Sequence, residues 1–344
     1  MAMTYLQVTP AGAGNKSGSS WDNAMGESEF ETNLEGSAAT DYVYFLKAGT
    51  YTMNSAYDSS ARGGSGQGMI SIIGVKAATT NEGANVVYSD WGSGTDRPFF
   101  DATSYAFRIG NYYSVRNIYI QGTAAAMFQC GSGCVIENCK FDNNYGTSSN
   151  RYAVTAAQNC MIINCEIMSI KSRGINITST GARVIHCYFH DIPDDGSGGI
   201  AINNASNGLT VLFCFFSNIK FNAILVGGAT ACIIMNNTFY TCGTDVSGTS
   251  GLSNVFINNL HEGTTANAYI YTTQTNGNFY WNNWGNDARC TDMWSGVDIT
   301  TNCQDYPNAA GLYGDPSFSS AGSSAALGAG SSCLNNGMSL TLGV

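Results

Sequence analysis

The sequence predicts an all-β solenoid, a parallel β-helix, and three observations carry that expectation. A short apolar motif recurs through the middle of the chain at nearly constant spacing. An asparagine marks the same place in most copies of it. The composition suits stacked short strands: 344 residues hold 41 glycines, 5 prolines, 44% apolar and only 11% charged side chains, where an ordinary soluble domain has about 25% charged. Charged bundles and long coiled coils need dense Glu and Lys and are excluded. Intrinsic disorder is excluded too, because disordered chains lack this many aromatic and β-branched residues. A net charge of −10 with 14 basic residues leaves no stripe for phosphates, so no nucleic acid partner is expected. No segment reaches 18 apolar residues, so no membrane span is expected. The N-terminus MAMTYLQVTP has neither a basic n-region nor an apolar h-region, and no secretory leader is expected there.

The aligned copies read SVRNIYI, VIENCKF, MIINCEI, RVIHCYF, TVLFCFF, IIMNNTF, VFINNLH and FYWNNWG. The position after the usual Asn, here called the slot, holds Ile118, Cys139, Cys165, Cys187, Cys214, Asn237, Asn259 and Asn283, at successive spacings of 21, 26, 22, 27, 23, 22 and 24 residues. Three positions earlier every copy is apolar, from Val115 and Ile136 to Phe256 and Tyr280. One position earlier stand Asn117, Asn138, Asn164, His186, Phe213, Asn236, Asn258 and Asn282. An odd spacing between the apolar position and the slot cannot keep both inside one straight strand. A bend at the Asn resolves this, because Asn tolerates left-handed backbone better than other non-glycine residues. Each coil therefore reads strand, Asn corner, strand, with the corner residues left-handed and hydrogen-bonded coil to coil, and with His186 as an Asn substitute. A second strand family holds Val154, Ile177, Ile202 and Val226, at spacings of 23, 25 and 24.

Three further passages extend the pattern: AGAGNKSGSSWDNAM at 11–25, DYVYFLKAGTY at 41–51, and GDPSF at 314–318 followed by SSAALGAGSSCLNNG. With the repeat, they make the chain resemble the right-handed parallel β-helix superfamily of pectate lyases, pectin lyases and phage tailspikes. The resemblance implies a right-handed parallel β-helix of about 10–12 coils, whose open ends need covering. In order, a strand is expected at 4–9 and a short capping helix over 21–34 with Ser20 as N-cap. Residues 1–40 thus form the N-terminal cap. Coils follow over 41–284, with glycine-rich side loops at 59–68 and 92–96, then an irregular C-terminal cap over 285–344, all in one continuous domain. The fold alone implies no single activity.

Cys139, Cys165, Cys187 and Cys214 fill the slot on successive coils. Equivalent residues of a parallel ladder lie about 4.8 Å apart, whereas bonded cysteines bring their Cβ atoms to about 3.8 Å. Buried free thiols are therefore expected, with Cys134, Cys160 and Cys232 as a second inward stack. Cys130 and Cys134 (CGSGC) lack the second pair or the histidines that complete a zinc site, so neither metal nor other cofactor is expected. Cys290, Cys303 and Cys333 lie in the C-terminal cap, where a disulfide stays open.

Lys171 and Arg173, then Asp191, Asp194 and Asp195, then Lys220 fall at one corner on successive coils. Paired carboxylates beside cations can move protons on a sugar, which makes Asp194, Asp195, Lys171 and Lys220 the candidate catalytic set. A surface ion-pair ladder is the competing reading and the one preferred here. DDG at 194–196 is the only trace of the polygalacturonase motifs, and the calcium-binding Asp set of the lyases is not recognisable. Tyr271, Trp281, Trp284 and Trp294 are candidates for stacking on a glycan, against the alternative that they pack the last coils on the cap. The function expected first is a non-enzymatic attachment or structural protein on a virion surface, a capsid decoration or spike module. Its partners would be capsid or tail proteins and a cell-surface glycan, and the spike resemblance implies a homotrimer. The alternatives are a polysaccharide lyase or glycoside hydrolase of the tailspike or pectinase kind, and a secreted bacterial adhesin at the cell surface.

Overall fold

A computed structural model describes residues 3–36, 41–53, 55–59, 69–76, 97–102, 105–122, 126–142, 152–193, 198–248, 253–262, 270–272, 279–281, 284–285 and 312–313, those from 262 onward by backbone alone. The strands are short because a left-handed residue interrupts the chain every few positions, and each interruption turns it onto a new sheet. The chain divides into two compact units, Met1–Lys171 and Ser172–Val344. Each unit is built of three parallel sheets that every coil visits in the same order.

In the first unit, the first sheet runs through Thr4–Val8, Tyr42–Lys47, Ile70–Val75, Tyr113–Arg116, Val135–Glu137 and Met161–Ile163. The second runs through Gly49–Thr52, Pro98–Asp101, Tyr119–Gln121, Lys140–Asp142 and Glu166–Met168, and the third through Tyr57–Asp58, Phe107–Ile109, Ala126–Cys130 and Tyr152–Ala156. In the second unit, the first sheet holds Arg183–Ile185, Thr210–Leu212, Ile233–Met235, Val255–Ile257 and Phe279–Trp281. The second holds Tyr188–Ile192, Phe215–Ile219, Thr238–Tyr240, Leu260–Glu262, Trp284–Gly285 and Leu312–Tyr313. The third holds Arg173–Ile177, Ile200–Asn204, Asn222–Leu225, Thr244–Gly248 and Ile270–Thr272. The fold is the right-handed parallel β-helix that the repeat predicts. The strand Leu312–Tyr313 pairs with Trp284–Gly285, within the stretch read as irregular cap.

The corner between first and second sheets has the expected backbone. Asn117, Asn138, Asn164, His186, Phe213, Asn236 and Asn258 all have φ between 50° and 59°, and Asn282 lies outside the described residues. The amides form a ladder: Asn138 Nδ2 donates to Asn117 Oδ1 at 2.8 Å, and Asn117 Nδ2 to the Gly74 carbonyl at 3.2 Å. One residue on, the slot cysteines are free and buried, as are Cys134, Cys160 and Cys232. Each slot thiol donates to a carbonyl two residues back: Cys139 to Glu137 at 3.3 Å, Cys165 to Ile163 at 3.2 Å, Cys214 to Leu212 at 3.3 Å. Where the slot turns from Cys to Asn, the amide takes over both directions of bonding. Asn237 Oδ1 accepts the Cys214 N–H at 2.9 Å, and its Nδ2 donates to the Val211 carbonyl at 3.1 Å.

Two details depart from the sequence reading. Ile177 pairs with Asn204, not with Ile202, whose partners are Ile175 and Ile224. The second strand family was thus taken two residues out of register at Ile177 and Val226, a slip that period-2 apolar patterning cannot detect because the facing is unchanged. The expected helix over 21–34 is split. Trp21–Asn23 is a single 3-10 turn, Ala24 and Met25 are extended, and the α-helix is Glu27–Glu35. Met25 bridges to Val8 beside the first strand, so the backbone there is spent on a sheet. Ser20 makes no side-chain cap bond, and the Glu29 carboxylate instead accepts the Gly26 N–H at 3.1 Å. The helix buries Phe30 and Leu34, with Phe30 edge-on to Tyr44 and Tyr57 at 5.2 and 5.9 Å.

Candidate functional site

In the second unit, two neighbouring strands of the second sheet, Tyr188–Ile192 and Phe215–Ile219, pair Tyr188 with Phe215, Phe189 with Phe216 and His190 with Ser217. Phe189 and Phe216 point inward and are fully buried, which sends Tyr188, His190 and Phe215 outward by strand alternation. The rings form a panel. Tyr188 stacks on Phe215 at 5.2 Å and 9°, and on His190 at 4.2 Å and 20°. His186 stacks on Phe213 at 5.0 Å and 10°. His186 and Phe213 occupy the corner that elsewhere holds Asn, so the ladder expected at His186 is a ring stack there. Their φ values are 53° and 54°. Left-handed backbone costs an ordinary residue roughly 1–2 kcal/mol, and for a bulky aromatic side chain it is an outlier. Phe213 is nonetheless 48% exposed, so burial does not recover that cost. At the far end of the panel, Asp191 Oδ2 lies 2.8 Å from His190 Nδ1, and Asp191 Oδ1 accepts from Asn218 Nδ2 at 2.7 Å. Burial works to raise the Asp191 carboxyl, but the hydrogen bonds from His190 and Asn218 prevail and hold it below the usual range.

In the first unit, the outer face of the same kind of sheet is polar. Its rows are Phe99, Tyr119, Lys140, Glu166 and Asp101, Gln121, Asp142, Met168. Tyr119 Oη donates to Asp142 Oδ2 at 3.1 Å, and Gln121 Nε2 to the same oxygen at 3.3 Å. Lys140 Nζ lies 3.3 Å from Glu166 Oε2 and 5.4 Å from the centre of the Tyr119 ring. Burial raises the Asp142 carboxyl above its ordinary value against the bond from Tyr119 and the charge of Lys140. Burial and the Asp142 charge likewise raise the Tyr119 hydroxyl. Three carboxylates (Asp101, Asp142 and Glu166), a phenol and a lysine thus share one half-buried face.

Of the sequence candidates, Lys171 closes the first unit half-buried, and Lys220 is exposed in the second. Asp194, Asp195 and Trp294 lie outside the described residues, as do the side chains of Tyr271, Trp281 and Trp284. Asp191 belongs to that cluster in the sequence, but the panel beside it was missed. The doublets Tyr188-Phe189 and Phe215-Phe216 look wholly internal in a sequence, and only strand facing separates the outer ring from the inner. A buried pair was missed as well. His261 Nδ1 lies 2.8 Å from Asp245 Oδ2 with both side chains fully buried, and the His261 ring continues the inward stack on Phe239 at 5.1 Å. Enclosed in the core, this pair meets no substrate. Cys130 and Cys160 bring their sulfurs to 3.6 Å, and hydrogen bonding with Cys134 and Cys160, then burial, push the Cys130 thiol well up. Among the described residues no group of three His, Cys, Asp or Glu is placed to hold a metal, and no helix is long and apolar enough to cross a membrane.

Comparison with known proteins returns the fold. The family model described as a right handed beta helix region matches residues 99–239. No curated protein matches in sequence. Among solved structures, a PL6 family polysaccharide lyase from Pseudopedobacter saltans aligns with a TM-score of 0.56 at 14% identity, over 85% of this chain and 64% of its own. This chain therefore spans less than two thirds of that lyase's length. A tailspike protein from Acinetobacter baumannii bacteriophage Fri1, a capsular polysaccharide depolymerase, aligns with a TM-score of 0.40 at 14% identity over 74% of this chain and 55% of its own. A pectate lyase aligns with a TM-score of 0.38 at 13% identity over 91% and 74%. At such identities the likeness is one of fold alone. The chain therefore has the right-handed parallel β-helix fold, and residues 99–239 match the family model of that region.

Proposed function

We propose that the protein is a non-enzymatic attachment protein that holds a polysaccharide against the outer face of its second unit. The observation that carries this reading is the stacked panel of Tyr188, His190 and Phe215, ending on Asp191 and Asn218. The outward edges of stacked rings beside fixed hydrogen-bonding groups suit a sugar, which offers C–H groups and a rim of hydroxyls. The rigid coil beneath holds the rings in place before the ligand arrives, so little ordering entropy is lost on binding. Binding of an oligosaccharide array, followed by titration calorimetry of the best ligand, tests this. Tyr188→Ala should weaken binding at least tenfold while the fold, read by circular dichroism, stays intact. Binding unchanged by Tyr188→Ala would remove the panel from the interaction. The finer reading is a capsid decoration or spike module on a virion, with capsid or tail proteins as its other partners. The buried reduced thiols support assembly inside a cell, and mass spectrometry of purified particles tests it.

A second reading, a polysaccharide-cleaving enzyme, is favoured by the first unit's polar face, where the raised Asp142 carboxyl sits beside Glu166, Tyr119 and Lys140. A proton donor near neutral pH needs a raised carboxyl. Release of new reducing ends from acidic polysaccharides, abolished by Asp142→Asn, would put this reading first.

A further inference from the structure

We infer that Cys130 and Cys160 form an oxidative cross-linking site, whose sulfurs join on exposure to peroxide and fasten two successive coils of the first unit to each other. The inference is independent of the polysaccharide reading. Stacked equivalents in a parallel ladder stand about 4.8 Å apart, which is what keeps the slot thiols from bonding. Cys130 and Cys160 are not stacked equivalents. Cys130 ends the strand Ala126–Cys130, and its neighbour on the next coil is Ala156. Cys160 lies at the far end of the turn that follows Ala156, just before the strand Met161–Ile163. The pair therefore runs diagonally across the turn, from one coil to the next, and its sulfurs are 3.6 Å apart. A disulfide needs about 2.05 Å, so a gap of about 1.5 Å remains for small side-chain rotations to close. The backbone holds the two turns together beforehand. Ala157 N–H donates to the Cys130 carbonyl at 3.2 Å, Gly133 N–H to the Gln158 carbonyl at 2.8 Å, and Met161 N–H to the Cys134 carbonyl at 2.8 Å.

The cover over the pair is thin. Cys130 is 6% exposed, and Gln158 and Asn159, which lead into Cys160, are exposed. A small oxidant reaches the sulfurs when that one turn opens. The oxidant is hydrogen peroxide. One sulfur gives up its proton and attacks a peroxide oxygen; the O–O bond breaks, a sulfenic acid forms, and the released hydroxide takes the proton and leaves as water. The partner sulfur then attacks the oxidised one. The S–O bond breaks, the S–S bond forms, and the oxygen leaves as a second water with the partner's proton. Two thiols lose two electrons and two protons, and one peroxide becomes two waters. Inside a reducing cell the thiols persist, and in an oxidising medium the bond does. It closes a loop over residues 130–160, which restrains the unfolded chain and stabilises the fold. Cys134 is the third thiol of this corner, bonded to the Gly110 carbonyl at 3.1 Å. A bond from Cys130 to Cys134 would close one turn of a single coil and fasten nothing.

The test exposes the full reduced chain, without denaturant, to a slight excess of hydrogen peroxide. Remaining thiols are alkylated, the chain is digested, and the peptides are mapped by mass spectrometry before and after reduction. The expected map contains two peptides joined through Cys130 and Cys160, together lighter by two hydrogens than the separate pair. Adding a phosphine reductant to the oxidised chain should lower its melting temperature by at least about 3 °C, because the unfolded chain loses a restraint. In Cys130→Ala and in Cys160→Ala the reductant should leave the melting temperature where it was. Cys242→Ala, which removes a buried thiol of the second unit, should behave as wild type. The map is read on the wild-type chain, so it decides the question even where a variant fails to fold. Cys130 and Cys160 recovered separately alkylated, oxidised singly to sulfinic acid, or with Cys130 joined to Cys134, would overturn the site. A joined pair whose reduction leaves the melting temperature unchanged would overturn the fastening of the coils.

Discussion

At the scale of single residues, the slot explains why four cysteines are followed by asparagines down one column. From Cys139 onward the position holds a small side chain, and it donates to a nearby carbonyl. The Cys214 thiol does so toward Leu212 and Val184, and the Asn237 amide toward Val211 while also accepting the Cys214 N–H. Cys214→Asn is therefore expected to change stability by less than about 1 kcal/mol, since the buried amide finds partners. Cys214→Leu should cost about 1–3 kcal/mol through overpacking. Urea denaturation separates the two, and equal losses would refute the shared role. Asp142 gives a pH prediction. Its folded pKa is raised, mainly by burial, so the folded state holds the proton more tightly than the unfolded chain. Stability from this group is present below the ordinary carboxyl range and falls as pH rises through the folded value. Asp142→Asn, whose amide oxygen can still accept from Tyr119 and Gln121, should gain on wild type between pH 4 and pH 7. Denaturation midpoints at the two pH values check it, and a variant that loses ground at pH 7 would contradict the sign. The corner was legible in the sequence because the left-handed conformation restricts residue type so strongly. Phe213 was not, because a ring at that corner obeys no fold preference.

At the scale of elements, the N-terminal helix shows where local pattern misleads. The run from Trp21 to Leu34 is helical in composition, but Met25 pairs with Val8 and breaks it, a tertiary demand that no helix signal reports. The start of the true helix depends on Glu29, which accepts the Gly26 N–H and lies 3.1 Å from Lys16 Nζ. Glu29→Ala should cost about 1 kcal/mol through the lost cap. Lys16→Ala should cost little, because the ion pair is exposed. If the two substitutions cost the same and both effects vanish in 1 M salt, the capping account is wrong. The strands of the first and second sheets were readable from the slot spacing. The third sheet was readable only to within two residues, because moving a strand by two keeps every apolar residue facing inward.

For the whole molecule, the cost of a solenoid is its open ends. The helix covers one of them, burying Phe30 and Leu34 against the aromatic cluster of Tyr44, Tyr57, Phe100 and Phe107. A chain beginning at Asp41 should bare those rings together with the edge of Tyr42–Lys47, and should associate or aggregate. Size-exclusion chromatography reads this directly, and a monodisperse monomer of unchanged melting temperature would show that the cap is dispensable. The repeat makes the fold legible at this scale, because each coil restates the same constraint. The surface is not legible in that way. Outward residues on a coil are free of the repeat, so a site appears only when facing and stacking are seen in three dimensions.

The thiols have a use beyond packing. Cys130, Cys134, Cys139, Cys160, Cys165, Cys187, Cys214, Cys232 and Cys242 are all free and all buried, and they are dealt out along successive coils. An alkylating reagent reaches each sulfur only while its own coil is open. The order in which they are modified under native conditions therefore times the opening of the molecule coil by coil, with no probe added by hand.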